Sequence, residues 1–376
     1  MNILVVSHEF PPIGGGGANA CLFLTRGYVQ AGHKVTLVTV WYEGLKEREN
    51  LDGVEIIRVR SKRAHKEHCS FQEMFSYIMK ALPVAGRLER ERKYDVCHVF
   101  FGIPSGVIGY WLKKRYRLPY IIRFGGGDIP GFQERFKLVY KAIAPFVRMI
   151  WRNADALVAN SEGLRQFALE FYDKREIKVI YNGVDTEKFY PDAAKRNRER
   201  INLLFVSRLI ERKGLQYVIP KLKEIQKVAD KQIRLTVVGD GPYRKALEDL
   251  AVQHDVADMV FFEGQKDKGE LLPYYQEGDI FVFPSKREGM PNAVLEAMAC
   301  GLPVVMAPCE GSEELIQGNG IVVSADEMGE ALSMVLGKGH LELWGKESRK
   351  RAEDIFSWDS AIRSYLKLLG KDRKDI

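Results

Sequence analysis

Short apolar runs rich in β-branched residues recur along the chain, each followed by a stretch in which apolar and polar positions alternate with helical period. In the first half the runs lie at Ile3 to Ser7, Val35 to Val40, Val54 to Val59, Val96 to Phe100, Tyr120 to Phe124, Ala156 to Ala159 and Val179 to Tyr181. In the second half they lie at Leu203 to Val206, Arg234 to Val238, Val260 to Glu263, Ile280 to Phe283, Val304 to Met306 and Ile321 to Val323. Consecutive apolar positions predict strands covered on both faces, and their alternation with amphipathic segments predicts parallel α/β layers. Two such sets predict two doubly wound sheets. The polar stretch Pro191 to Arg200 has linker composition, which places one domain over 1–190 and a second over 200–355. Trp358 to Leu369 has apolar residues at helical spacing, so 356–376 is expected to form a helix packing back toward the first domain. No repeat of solenoid period and no low-complexity tract interrupts this plan.

A length of 376 residues with 46% hydrophobic content suits two cores. Cys21, Cys69, Cys97, Cys300 and Cys309 are odd in number and irregular in spacing, and they read as reduced thiols of a cytoplasmic protein. Glu9 interrupts the first apolar run before a secretory core could develop, and no uncharged run is long enough to span a bilayer. The charge is one-sided. Residues 1–190 carry 29 Lys/Arg against 20 Asp/Glu, a balance of +9, while 191–376 carry 28 against 30, or −2. Solvated surface residues account for such an excess, and so does attraction to an anionic membrane face or a phosphate-bearing acceptor. Nucleic acid has no supporting motif.

Doubly wound sheets bind ligands in loops at the carboxyl ends of their strands, so motifs directly after strands carry the chemistry. One block runs from Phe283 through Pro284, Ser285, Lys286, Arg287, Glu288, Gly289, Met290, Pro291, Asn292, Ala293, Val294 and Leu295 to Glu296, and a helix from Asn292 then stops at Gly301. The backbone N–H groups around Met290 to Ala293 are suited to diphosphate oxygens. Glu288 can accept hydrogen bonds from sugar hydroxyls, and Glu296, about one turn into the helix, can take two adjacent ribose hydroxyls. A second block, Val206-Ser207-Arg208-Leu209 with Lys213-Gly214, offers a guanidinium and a point charge for phosphate. After the first strand, Pro11-Pro12-Ile13-Gly14-Gly15-Gly16-Gly17 permits close backbone approach to phosphate or sugar and opens a helix from about Asn19. Arg123-Phe124-Gly125-Gly126-Gly127-Asp128 follows another strand and would meet the acceptor. His8, His33 and His98 belong to no motif and read as packing or surface residues.

With two glutamates separated by seven residues, the Glu288–Glu296 block closely resembles the retaining glycosyltransferase family four. The resemblance implies the GT-B fold, an α/β architecture of two Rossmann-like doubly wound domains facing a central cleft. It implies that Glu296 binds ribose, that Glu288 orients the donor sugar, and that Arg208 and Lys213 bind the donor diphosphate and stabilise the departing nucleotide. Gly289, Met290, Pro291, Asn292, Ala293 and Leu295 complete the donor segment. Gly264 and Gln265, in Phe262-Glu263-Gly264-Gln265, resemble the segment that holds the base through backbone, and Gly15 and Gly16 would approach the donor phosphates. Many relatives place a histidine before the acid of the acceptor loop; Gly127-Asp128 stands here instead, leaving Asp128 as the expected polar contact.

The implied reaction moves a sugar, with retention, from a UDP- or GDP-sugar to a glycan or lipid-linked glycan of surface polysaccharide or glycoconjugate. Positive side chains and helix-terminal N–H groups would stabilise the leaving diphosphate. No Asp-x-Asp triplet is present, so a metal-bridged diphosphate is not expected, and no cofactor is implied, the donor being a substrate. A nucleotide-sugar epimerase of the same plan and a non-catalytic sugar- or membrane-binding protein are the alternatives. The stretch Phe132 to Trp151 interleaves Phe136, Leu138, Val139, Tyr140, Ile143, Phe146, Val147 and Ile150 with Arg135, Lys137, Lys141 and Arg148. Such a helix fits an ordinary core position or an anionic membrane surface on the cytoplasmic face.

Overall fold

The computed structural model describes residues 1–66, 69–132, 137–197, 199–285, 288–337 and 340–370. Arg135 and Phe136 of the basic helix, Lys286 and Arg287 of the donor block, and the last six residues of the expected 356–376 segment lie outside them. The chain divides into two compact units, Met1–Asn182 joined by the segment from Trp358, and Gly183–Ser357.

The first unit is built on β1 (Asn2–Val6), β2 (Lys34–Val40), β3 (Arg48–Leu51), β4 (Val54–Val59), β5 (Val96–Phe100), β6 (Tyr120–Arg123), β7 (Ala156–Ala159) and β8 (Ile177–Val179). They form one sheet in the order β3-β4-β2-β1-β5-β6-β7-β8. Every pairing is parallel except β3 with β4. Ile3, Leu4, Val5 and Val6 are all inaccessible, as expected of a strand with helices on both faces. The strand β3 was not expected from the sequence. Its Arg-Glu-Asn-Leu pattern is polar because it is an edge strand with one open side, and it returns through Asp52-Gly53, both at positive φ (53° and 84°). The last strand begins two residues before the expected Val179, where Ile177 is the buried position.

The second unit carries β9 (Arg200–Val206), β10 (Gln232–Val238), β11 (Val260–Gly264), β12 (Ile280–Phe283), β13 (Val304–Met306) and β14 (Gly320–Val322), all parallel, in the order β11-β10-β9-β12-β13-β14. The unit boundary falls earlier than the polar stretch 191–200. Arg349 explains why: its guanidinium donates to the carbonyls of Thr186, Phe189 and Ala299 at 3.1, 2.7 and 2.7 Å, tying 183–190 to the second unit. The Val184 N–H adds a bond to the Phe356 carbonyl at 2.7 Å.

The helix Trp358–Gly370 belongs to the first unit and covers the helix Gly16–Gln30. Trp358 stacks on Phe23 at 4.8 Å, Tyr365 is buried 5.0 Å from the His98 ring, and Ile362 fills the space over Gly27, where any Cβ would lie 2.2 Å from its Cδ1. Among the described residues no helix is long and apolar enough to cross a membrane.

Each sheet reverses its winding at one point, between β1 and β5 in the first and between β9 and β12 in the second. Strand order alone therefore marks the loops after β1, β5, β9 and β12 as the places where a crevice opens.

Candidate functional site

In the second unit, the loops after β9 and β12 bring charged side chains together. Lys213 ends a single 3-10 turn, Glu211–Lys213, and its Nζ donates to Glu288 Oε1 at 2.5 Å. Arg212 donates to the same oxygen at 3.0 Å and Ser285 Oγ at 3.1 Å. The Glu288 N–H donates to Glu310 Oε2 at 3.0 Å, so the β13 loop fixes the backbone that carries Glu288. Lys213 is 12% exposed, and its ammonium lies 5.4 Å from the centre of the Phe283 ring. Burial lowers its pKa, with Arg212 and Arg208 adding to the effect and Glu288 opposing it. Arg208, at the carboxyl end of β9, is exposed and close enough for its charge to act on Lys213.

The helix Asn292–Ala299 begins directly after this cluster, with Pro291 as its N-cap. The N–H groups of Val294 and Leu295 turn back to the Pro291 carbonyl, and the Asn292 side-chain oxygen is buried without a hydrogen-bond partner among the described residues. Met290 and Leu295 are buried and anchor the segment, while Gly289 and Ala293 are half-buried. Glu296, half-buried, accepts a hydrogen bond from Tyr275 at 2.8 Å. Burial raises its pKa; Tyr275, Lys268 and Lys188 pull it back. Gly264 closes β11 at φ +73°, accepting the Gly239 N–H at 2.8 Å, and Gln265 beside it is exposed.

These loops meet backbone to backbone. A Cβ on Gly214 would lie 2.2 Å from the Pro284 carbonyl oxygen, and one on Gly239 would lie 1.9 Å from that of Ser207. Both glycines also adopt positive φ, +78° and +134°, which other residues resist. Glycine thus lets the Arg208, Lys213 and Glu288 loops approach within hydrogen-bonding distance.

In the first unit the helix Gly16–Gln30 starts three residues before the expected Asn19. Gly17 faces Phe101, whose ring would meet a Cβ at 2.5 Å, so the early turn is possible only without a side chain. Gly15 is the N-cap, and its N–H bonds to the carboxylate of Glu9. Glu9 in turn faces Arg63 at 3.4 Å; burial raises its pKa and Arg63 opposes this. His8 is buried against Phe101 and its pKa falls to about 3 through burial and Arg63, which suits a neutral packing residue. His98 is likewise buried, bonded to the Tyr28 hydroxyl at 3.0 Å, with a pKa of about 3.

Asp128 was expected to be the polar contact for an acceptor. Its side chain instead accepts the Gly102 N–H at 2.6 Å and the Gly125 N–H at 2.8 Å, and the residue is 4% exposed. Each oxygen holds one loop, the first after β5 and the second after β6. Burial raises the Asp128 pKa against these hydrogen bonds and the nearby Arg123. Its visible work is to brace two loops at the carboxyl edge of the sheet.

Tyr275, Arg212 and Glu310 carry no motif of their own in the sequence, and Ser285 stands in the donor block without an assigned role. Ser285 lies three positions before Glu288 within the block and was legible there. Tyr275 lies on the helix Leu271–Glu277, and nothing in its sequence setting points to Glu296.

A family model described as Glycosyl transferases group 1 matches residues 200–338, and one described as Glycosyltransferase Family 4 matches 14–188. The chain is 31% identical to an uncharacterized glycosyltransferase, MJ1607, of Methanocaldococcus jannaschii, over 96% of each chain. It is 28% identical to a GDP-mannose-dependent alpha-(1-6)-phosphatidylinositol monomannoside mannosyltransferase of Mycolicibacterium smegmatis, over 84% of this chain and 82% of that one. Among solved structures it superimposes on sucrose-phosphate synthase of Thermosynechococcus elongatus with a TM-score of 0.82, 21% identity and 98% of both chains covered. For HepE of Anabaena in complex with UDP-glucose the TM-score is 0.76, with 18% identity over 98% and 99% of the chains. The chain has the GT-B fold and belongs to the group 1, family 4 glycosyltransferases.

Proposed function

We propose that this glycosyltransferase transfers a sugar, with retention and without a metal ion, from a nucleotide-sugar donor held by the second unit to a glycan or lipid-linked glycan. The observation that carries this reading is the Lys213–Glu288 contact at 2.5 Å, with Arg208 on the adjoining loop and a helix N-terminus one step further along the chain. In the proposed complex the donor diphosphate lies against Arg208, Lys213 and the N–H groups of Asn292 and Ala293. The unpartnered Asn292 oxygen offers an acceptor to a donor hydroxyl. Glu296, its second oxygen held by Tyr275, takes the ribose hydroxyls, and Gly264 and Gln265 line the place of the base. Glu288 orients the sugar.

As the glycosidic bond to the diphosphate lengthens, negative charge grows on the leaving oxygen, and Arg208 and Lys213 stabilise it in place of a cation. The acceptor hydroxyl attacks from the face the diphosphate leaves and passes its proton to a phosphate oxygen. In this scheme Asp128 acts on the first unit's loops, through Gly102 and Gly125, rather than on the reacting atoms. A nucleotide-sugar donor is supported by the UDP-glucose complex of HepE, and a lipid-linked acceptor by the mannosyltransferase that acts on a phosphatidylinositol monomannoside. The test is a screen of UDP- and GDP-sugars for slow hydrolysis without acceptor, with the anomeric configuration of the first product read by NMR. Inversion, or no nucleotide released from any donor, would overturn the reading.

The acceptor side is proposed to work at an anionic membrane surface. Phe75 (64% exposed) and Met79 (55%) stand out from the helix Phe71–Arg92 beside Lys62 and Lys80, and Leu138 (82%) from the helix Lys137–Asn153. Apolar side chains ringed by lysines fit the headgroup boundary. Sedimentation with anionic and neutral vesicles checks it, equal binding to both being the adverse result.

A further inference from the structure

At the opposite edge of the first sheet from the loops just described lies a groove of about 1100 Å³. Lys114, on the helix Ser105–Tyr116, and Arg148 and Arg152, on the helix Lys137–Asn153, line two sides; Lys174 and Arg175, in the segment leading into β8, line the third. These elements run into the amino ends of β6, β7 and β8, whereas the Gly15 and Asp128 loops leave carboxyl ends. Among the described residues, five cationic side chains line the groove and no carboxylate does.

Two of the guanidiniums are held by groups that do not neutralise them. Arg175 donates to the carbonyls of Arg152 at 2.8 Å and Asp155 at 3.3 Å. Arg148 donates to the Phe171 carbonyl at 3.4 Å and lies 4.8 Å from the centre of its ring. The acid nearest in sequence, Asp173, stands 3.4 Å from Lys174, with both side chains largely in solvent, where screening is strong. Fixed guanidiniums facing one space, without an ion pair among the described residues, suit tetrahedral oxyanions that each accept two parallel N–H bonds. The volume exceeds what one phosphate fills, and the five cations call for several negative charges. This concentration also accounts for part of the +9 balance of residues 1–190.

We infer that this groove is a second, non-catalytic binding site for an anion bearing several phosphates, either free in solution or displayed as a lipid headgroup. It stands independently of the donor reading. Calorimetric titration of the full chain with tripolyphosphate is expected to show binding that weakens with added salt. Arg148→Gln combined with Lys174→Gln should weaken it about tenfold or more, and Lys174→Gln alone, an exposed change that leaves the fold intact, by a smaller step. Arg208→Ala should leave it in place. A parallel arm measures vesicles of phosphatidylcholine with and without phosphatidic acid; loss of the acid-dependent binding in the same groove variants would identify a headgroup as the source. Tripolyphosphate binding that disappears in Arg208→Ala and survives in the groove variants would mean that the anion enters the donor site, and would overturn the inference. So would the absence of groove-dependent binding in both arms.

Discussion

Lys213 carries two opposed influences, burial that disfavours its charge and Glu288 that favours it, and burial prevails. On the proposed donor site, a bound diphosphate adds negative charge beside the ammonium and raises the Lys213 pKa. By linkage, nucleotide binding takes up a proton where the free enzyme's Lys213 is partly neutral, and affinity falls as pH rises through that lowered pKa. Glu296 behaves in the mirror sense. Its raised pKa means that the carboxylate proposed to bind ribose is lost on acidification at a higher pH than an ordinary glutamate's value of about 4.3. Nucleotide affinity is thus expected to peak between an acid limb that Glu296→Gln removes and an alkaline limb that Lys213→Arg shifts upward. Titrations across pH check both limbs, and limbs unchanged in the two variants would detach these residues from the donor. Glu296→Ala should weaken nucleotide binding by about 1.5–3 kcal/mol, the range of a hydrogen bond to a charged group. Arg208→Ala should instead lower kcat by about a hundredfold or more, because its charge matters most as the leaving group develops. A loss confined to KM in Arg208→Ala would argue against that role.

The strands and the loops of the site rest on different kinds of sequence information. Apolar runs marked thirteen of the fourteen described strands within a few residues, since burial on both faces leaves little room for polar positions. The strand Arg48–Leu51 left no such mark, because one edge and alternate side chains meet water. Glu288 and Glu296 were legible because glycine, proline and both acids fall in one short block. Their partners were not: Tyr275 reaches Glu296 across 21 positions, and the Gly102 N–H reaches Asp128 across 26, distances over which no local pattern operates. The glycines Gly214 and Gly239 join the two levels, short-range in sequence and long-range in contact. Gly239→Ala is expected to lower stability by at least the roughly 1–3 kcal/mol of a strained backbone conformation, and to push the Ser207-Arg208 backbone outward. Equilibrium denaturation measures the first effect. Nucleotide affinity measures the second, and a variant with wild-type values in both would contradict the contact seen here.

At the scale of the whole molecule, the proposed scheme has side chains rather than a metal ion face the diphosphate, and on it transfer is expected to persist in excess EDTA. Complete loss, restored by manganese or magnesium, would replace this scheme with a metal-bridged one. The helix Trp358–Gly370 gives a second large-scale expectation. Ile362 is half-buried over Gly27, so Ile362→Ala should cost about 1–2 kcal/mol, below the range for a fully buried site. Denaturant titration of the full chain would register this as an earlier first transition if the two units melt separately. The same helix also fixes an order of events during synthesis. Residues 183–357 form the second unit as an insertion within the first, so the ribosome completes that unit while Phe23 and Gly27 still lack their cover. The first unit, though begun first, closes only after the final helix emerges, and until then its uncovered helix is a surface that a nascent-chain chaperone would recognise.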